Sequence, residues 1–202
     1  RLADDPAALA AALDGAGLVH LSGITLAILP PAGREALFAA LAKARGKGTL
    51  VSFDPNIRPR LWSSGEEIRE TIPQMLALTD IALPSFDDEA THWADRAPEV
   101  TIARFAASGV AEIVVKNGAG SVRFRAGDVE GECPTPPVDG IRATTGAGDA
   151  FNAGYLAARL AGLAPERSIA CGQAVSAEVI RTPGARGPRE TIRALGRSLF
   201  AP

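Results

Sequence analysis

Short apolar runs of strand length alternate along this chain with longer stretches whose apolar residues recur at helical spacing, and no other feature narrows the fold as much. Residues 18–22, 49–54, 81–83 and 112–116 read as strands, while 7–13, 33–45, 66–78 and 98–107 read as helices. Parallel neighbours in a sheet need a long crossover, usually helical, so the alternation predicts parallel βαβ units with helices on both faces. After Asn117-Gly118 the rhythm changes. Residues 121–125 and 129–133 flank Ala126-Gly127-Asp128 and read as an antiparallel hairpin, so the sheet is expected to end in mixed strands. Helical patterns over 147–161, 165–181 and 188–199 close the chain, with Pro183-Gly184 and Gly187-Pro188 as breakers.

A chain of 202 residues, 47% hydrophobic and 22% charged, can bury one sizeable core, and one compact α/β domain is expected. Its net charge of -2 gives no electrostatic case for nucleic acid or an anionic membrane surface, which leaves small molecules as the expected partners. Cys133 and Cys171 lie far apart without CxxC or Cys/His spacing, so neither a disulfide framework nor a zinc site is indicated. They read as packed thiols of a reducing cytosol, and the isolated His20 and His92 as packed or surface residues. The first residues, 1–6, carry acids where a secretion signal has an apolar core, and no apolar run approaches membrane-spanning length. A cytoplasmic protein is expected.

Chemistry concentrates in residues 143–155, Ala-Thr-Thr-Gly-Ala-Gly-Asp-Ala-Phe-Asn-Ala-Gly-Tyr. Glycines let backbone approach a ligand closely, and the N–H groups of an opening helical turn have no intrahelical partner. With the helix dipole, Gly146, Ala147 and Gly148 make an anion hole for a transferring phosphoryl group, while the Asp149 carboxylate takes a proton from an attacking hydroxyl. A glycine-rich loop in which Asp149 only caps a helix is the alternative. No GxxxxGK[ST] occurs, and Phe151 stands where a dinucleotide fingerprint needs its third small residue, so P-loop and Rossmann oxidoreductase chemistry are disfavoured.

That stretch resembles the C-terminal signature of the PfkB (ribokinase-like) carbohydrate kinases, whose GAGD aspartate is the catalytic base. The resemblance implies a ribokinase-like three-layer α/β/α fold, mainly parallel with a C-terminal antiparallel hairpin, with ATP and Mg2+ as cofactors. Carried over, Asp149 is the base and Gly146, Ala147 and Gly148 line the anion hole. Residues 52–62 leave a strand into a proline-bounded loop, and an arginine fork on such a loop suits a carboxylate or phosphate. The loop resembles the DPNxRxxLW stretch of the family's 2-keto-3-deoxygluconate kinases, as do residues 18–27. Arg58 takes the place of the arginine that contacts the sugar acid, which implies ATP-dependent phosphorylation of 2-keto-3-deoxygluconate. A fructokinase-like or 5-dehydro-2-deoxygluconate kinase activity is the alternative. Arg58 also reads as a surface arginine paired with a local acid, Arg60 as solvated, and Asn56 either bonds a ligand or shapes the turn.

Asp87, Asp88 and Glu89 follow a strand and suggest a divalent-ion neighbourhood, because magnesium takes one or two carboxylates, often through water. They sit where the family has its NxxE motif. Ser85 replaces the asparagine if Asp88 stands for the glutamate, and Phe86 replaces it if Glu89 does. Acids favouring a helix N-terminus explain the same residues. Residues 114–121 resemble the family's KxGxxG-like turn, which makes Lys116, Gly118 and Gly120 candidates for the nucleotide side, and Asn56 is counted as a further nucleotide-binding candidate. A hairpin turn without a ligand is the alternative. Gln173 lies on a late helix roughly where relatives often have asparagine near the adenine, and Ala143 stands where many have an aspartate.

The resemblance covers essentially the whole chain but only roughly the C-terminal two-thirds of such a kinase. It implies that residues 1–202 are the nucleotide-binding domain of a sugar kinase without its first strands and β lid, which Arg1 in place of methionine fits. Weak ATP binding, poor turnover and self-association through uncovered strand edges are expected of such a fragment, with a non-catalytic nucleotide-binding role as the alternative.

Overall fold

The computed structural model describes residues 5–199, so Arg1 to Asp4 of the acidic N-terminus and residues 200–202 lie outside the described residues. Asp5 caps the first helix, α1 (Pro6–Leu13): its carboxylate accepts the N–H groups of Ala7 and Ala8, both at 3.0 Å. Pro6 takes the first helical position, where no N–H is needed. The chain continues through β1 (Leu18–Ser22), α2 (Gly23–Ile28), α3 (Pro31–Arg45), β2 (Leu50–Asp54) and a 3-10 turn at Pro59–Leu61. Then come α4 (Gly65–Leu76), β3 (Ile81–Ala82), α5 (Phe86–Trp93), α6 (Pro98–Ala107) and β4 (Glu112–Val115). β5 (Val122–Ala126) and β6 (Val129–Cys133) precede α7 (Ala147–Leu160), α8 (Pro165–Ile180) and α9 (Arg189–Leu199).

One sheet of six strands runs in chain order from β1 to β6. The first four are parallel, with Leu18 opposite Leu50, Ser52 opposite Ile81 and Ile81 opposite Glu112, and helices join each successive pair as parallel geometry requires. In the hairpin, Arg123 pairs with Glu132 at 2.7 Å and Arg125 with Glu130 at 3.8 Å. Two steps forward on β5 therefore match two steps back on β6, which is antiparallel register. The α/β class with a mixed sheet is as expected. α2 was not foreseen. It has only 6 residues, three of them β-branched, and it forms because the Ser22 hydroxyl accepts the Ile24 N–H at 3.3 Å while Leu26 is buried.

Composition implied one compact domain; the chain divides into two compact units, residues 1–115 with 124–130, and 116–123 with 131–202. The first unit is built on Leu41, Val51, Phe53, Ile72, Phe105 and Ile113, all wholly inaccessible. Every residue of β4 is buried, the near-continuous apolar pattern of an inner parallel strand. In the second unit α7 packs on α8. Phe151 and Tyr155 stack with ring centres 6.2 Å apart, and Ile169 and Cys171 are buried on α8. Among the described residues no helix is long and apolar enough to cross a membrane.

Candidate active site

In the first unit, the Arg58 loop leaves the buried end of β2. The Asp54 carboxylate accepts the Asn56 N–H at 3.1 Å, and the Asn56 side chain donates to the Ser22 hydroxyl at 3.3 Å. These two bonds hold Asn56 at φ 36, a left-handed conformation that asparagine tolerates better than most residues. Ser22 and Gly23 lie so close beneath the loop that a Cβ on Gly23 would sit 1.9 Å from the Pro55 carbonyl oxygen, so only glycine fits there. Of the two readings of Asn56, the turn is the one its hydrogen bonds serve.

The far end of the loop is clamped by Arg34 on α3. Arg34 donates to the Leu26 carbonyl at 2.7 Å, pairs with Glu67 at 2.7 Å and lies over the buried Trp62 ring at 5.2 Å. Glu67 also accepts the Ser63 N–H at 2.8 Å and its hydroxyl at 2.7 Å. These donors, with Ser63 the larger cause, hold its carboxyl down to about 2. Between the clamps Arg58 is about half exposed: Nη1 donates to the Ile57 carbonyl at 2.9 Å and stands 3.6 Å from Asp88. That contact is long and solvated, and such pairs contribute little, so the guanidinium fork remains available to an anion.

Asp88 and Glu89, side by side at the start of α5, meet different surroundings. Asp88 accepts the Ile57 N–H at 3.1 Å through Oδ2, and burial raises its pKa. Glu89 is wholly inaccessible: Oε2 accepts from Arg104 at 2.7 Å, Arg104 also reaches Asp95 at 2.6 Å, and Oε1 has no hydrogen-bond partner among the described residues. Burial pushes the Glu89 carboxyl up to about 7 despite Arg104. Arg104 in turn is flanked by the rings of Trp93 at 4.6 Å and Phe105 at 5.0 Å. Among the described residues no group of three or more His, Cys, Asp or Glu could hold a metal ion by itself. Magnesium does not require one, because it keeps waters and phosphate oxygens, and Asp88, whose Oδ1 makes no hydrogen bond among the described residues, fits such an ion better than the enclosed Glu89.

In the second unit, Gly146 caps α7 in the left-handed region at φ 80, and a Cβ there would meet the Ala185 carbonyl oxygen at 2.5 Å. The turn is closed by Ala147 N–H to Thr144 O at 3.1 Å and Ala150 N–H to Gly146 O at 2.9 Å. Between them the amides of Gly148 and Asp149 make no hydrogen bond to another described group, as expected of the first turn of a helix. Lys116, buried just beyond β4, donates to Asn152 Oδ1 at 3.0 Å, and its Nζ is the nearest atom, at 3.6 Å, to where a Gly148 Cβ would be. Arg142 and Ala143 both donate their N–H groups to the Ile180 carbonyl, at 2.8 and 3.2 Å, which ties the approach to the turn onto the end of α8.

Gly118, Gly120 and Gln173 belong to a second cluster. Gly118 has φ 54, Gly120 donates to the Asn117 carbonyl at 2.7 Å, and Thr135 donates to the Gly120 carbonyl at 2.6 Å. The Gln173 amide donates to Pro134 O at 3.0 Å and to Thr135 Oγ1 at 3.3 Å, so it straps the 134–135 segment to α8.

A family model described as pfkB family carbohydrate kinase matches residues 2–192. The chain belongs to the pfkB family. Among curated relatives, 2-dehydro-3-deoxygluconokinase of Escherichia coli strain K12 is 42% identical over 194 residues, covering 95% of this chain and 63% of that protein. The same-named protein of Dickeya dadantii is 40% identical, covering 87% and 58%. The chain thus spans less than two thirds of the length of these relatives. Among solved structures, a PfkB protein from Polaromonas sp. JS666 superposes with a TM-score of 0.79 at 28% identity, over 94% of this chain and 60% of that one. A ribokinase II from E. coli, in complex with ATP and Mg2+, gives 0.76 at 25% identity over 94% and 61%.

This pfkB chain therefore brings together Lys116, Gly148 and Asp149 with a residue that sequence reading passed over, Asn152. A local signal existed: Asn152 follows Asp149 by three positions and so shares its helix face. Arg34, Thr135 and Arg104 carried no local signal at all.

Proposed function

We propose that this pfkB protein transfers the γ-phosphoryl group of ATP to a hydroxyl of a sugar acid, 2-keto-3-deoxygluconate, forming the 6-phosphate and ADP. The observation that carries the phosphoryl-transfer reading is the turn at 146–149, where two open amides and a carboxylate sit at the positive end of α7. In this reading Asp149 accepts the proton of the attacking hydroxyl as the new O–P bond forms and the β–γ bridging bond breaks. The Gly148 and Asp149 amides, in the hole lined by Gly146 and Ala147, take the charge that develops on the transferred group. Magnesium, when bound with ATP, would offset phosphate charge, and Asp88 is the residue that would hold it, through water.

Lys116, Gly118, Gly120 and Gln173 form the nucleotide side of the reading, the last three by shaping the turn and strap described above. Asn56 contributes by holding the Arg58 loop in place rather than through a nucleotide contact. Arg58 selects the sugar acid: it is a half-exposed fork on a clamped loop, in a chain 42% identical to a 2-dehydro-3-deoxygluconokinase. Fructokinases are also among the relatives, one from Vibrio alginolyticus at 32% identity, so the substrate is what needs testing. With ATP and magnesium, phosphorylation is measured on 2-keto-3-deoxygluconate, 5-dehydro-2-deoxygluconate, fructose and ribose. The expected result is the highest kcat/KM on 2-keto-3-deoxygluconate. A preference for fructose or ribose would remove Arg58 from carboxylate selection, and ATP binding without transfer to any of them would remove the kinase reading.

A further inference from the structure

We propose that Arg34 is the positioning residue of the Arg58 loop: it holds the far end of the loop and the short helix α2 in one place, so that the Arg58 fork meets a carboxylate at a set angle. The inference rests on the reading of Arg58 given above and adds to it the device that aims the fork.

A guanidinium does better than an ammonium only when its parallel donors line up with two oxygens, so an arginine that chooses a carboxylate needs a fixed base. The Arg58 side chain does not supply one: it is half exposed, and its contact with Asp88 is 3.6 Å long. The backbone does. The Arg58 carbonyl accepts the Leu61 N–H at 2.9 Å, and the Pro59 carbonyl accepts the Trp62 N–H at 3.1 Å, with the Pro59 ring fixing a torsion between them. One stiff turn therefore joins Arg58 to Trp62, and wherever the indole is held, the root of Arg58 is held too.

Trp62 is 7% exposed, yet its indole N–H makes no hydrogen bond among the described residues. The ring is placed by packing and by the Arg34 guanidinium over its face, 5.2 Å from the centre. The same guanidinium reaches two further elements. Nε donates to the Leu26 carbonyl of α2 at 2.7 Å, and Nη1 pairs with Glu67 of α4 at 2.7 Å and donates to Thr71 Oγ1 at 3.5 Å. Ser22, at the other end of α2, takes the Asn56 side chain from the start of the loop. α2 is thus tied to the loop at both ends, with Arg34 making the tie at the Trp62 end. Apolar side chains of similar volume often stabilise a fold as well as a buried ion pair does, so stability alone gives no reason for an arginine here. Planar donors that fix several elements at once do give one.

Arg34→Lys tests this, because lysine keeps a charge beside Glu67 but cannot hold Leu26, Glu67 and the Trp62 face together. Arg34→Met combined with Glu67→Gln removes both charges and keeps the volume, and it serves if the lysine variant does not fold. Thermal melting confirms that each variant is folded. In a Trp93→Phe background Trp62 is the sole tryptophan, and its quenching by acrylamide is expected to rise. Calorimetric Kd and kinetic KM for 2-keto-3-deoxygluconate are expected to rise about tenfold, with kcat and ATP affinity little changed. In an Arg58→Lys background the same change is expected to add less than about twofold, because a lysine has no fork to aim. Unchanged quenching, or an unchanged sugar Kd, overturns the proposal. Losses that multiply in the double variant also overturn it, because Arg34 would then act independently of Arg58. If Arg58→Lys costs tenfold on the sugar acid and Arg34→Lys costs nothing, only the positioning role fails; if Arg58→Lys alone costs nothing, the reading of Arg58 fails and the positioning role falls with it.

Discussion

The Arg58 loop of the first unit is held by side chains: Asn56 and Asp54 at one end, Arg34, Glu67, Ser63 and Trp62 at the other. The 146–149 turn of the second unit is held by backbone, through the Thr144 and Gly146 carbonyls and the close approach of Ala185. The loop leaves a charged side chain half exposed, whereas the turn leaves bare N–H groups. A guanidinium fork can match the geometry of one carboxylate, and it tolerates movement because the side chain reaches. Amides at a helix start cannot reach, so their position must be set by glycine conformation and by the helix itself. Changes in the loop should therefore alter which substrate is chosen, and changes in the turn should alter the rate.

The largest effect is expected at the turn. Asp149→Asn should lower kcat by at least about a hundredfold with little change in ATP affinity, the usual lower bound for a positioned general base. Single-turnover measurements on saturating substrate check it, and near-normal turnover would put the rate-setting group elsewhere.

The two glycines sharpen the contrast within the turn. Gly146→Ala meets both a left-handed φ of 80 and the Ala185 oxygen at 2.5 Å, so a stability loss of about 2 kcal/mol or more is expected from denaturant unfolding. Gly148→Ala meets neither and gains helix propensity, so its stability should hold or rise while turnover falls. Equal stability losses at both positions would mean that the turn is glycine-rich for folding alone.

At the loop, Arg58→Lys should reduce kcat/KM for sugar acids about tenfold and leave neutral sugars nearly unchanged, because lysine keeps the charge and loses the fork. Equal losses on both classes would make the loop a general binding element. The smallest effect concerns the clamp. Glu67 is held at about 2 in the fold against an ordinary 4.5, so its contribution to stability is fully present above about 4.5 and is lost as pH falls toward 2. Melting temperature followed over that range should fall more steeply for the parent than for Glu67→Gln. Parallel curves would show that the clamp does not depend on this charge.

Much of this was legible in local pattern. Residues 18–22 and 98–107 read as the strand and helix that form, because apolar spacing and proline at a helix start are short-range signals. The glycine turn was equally readable, since a left-handed cap and the opening of α7 lie within a few residues. The acids at 87–89 were readable only as acids. Whether such a carboxyl faces water or a buried arginine depends on which helix covers it, and α6 brings Arg104 to Glu89 from 15 positions away. Burial then raises the Glu89 carboxyl to about 7 and separates it chemically from its neighbour Asp88.

By itself, then, the amino-acid sequence determined the order of elements, the hairpin, the glycine turn with Asp149 and the exposed arginine on its proline-bounded loop, because each depends on contacts within one turn or one strand. The tertiary structure alone decided which groups those elements meet. Lys116 finds Asn152 across 36 positions, and Arg34 meets Thr71 across 37, because the path of the chain through sheet and helices, and not local propensity, sets which distant residues come within 3 or 4 Å.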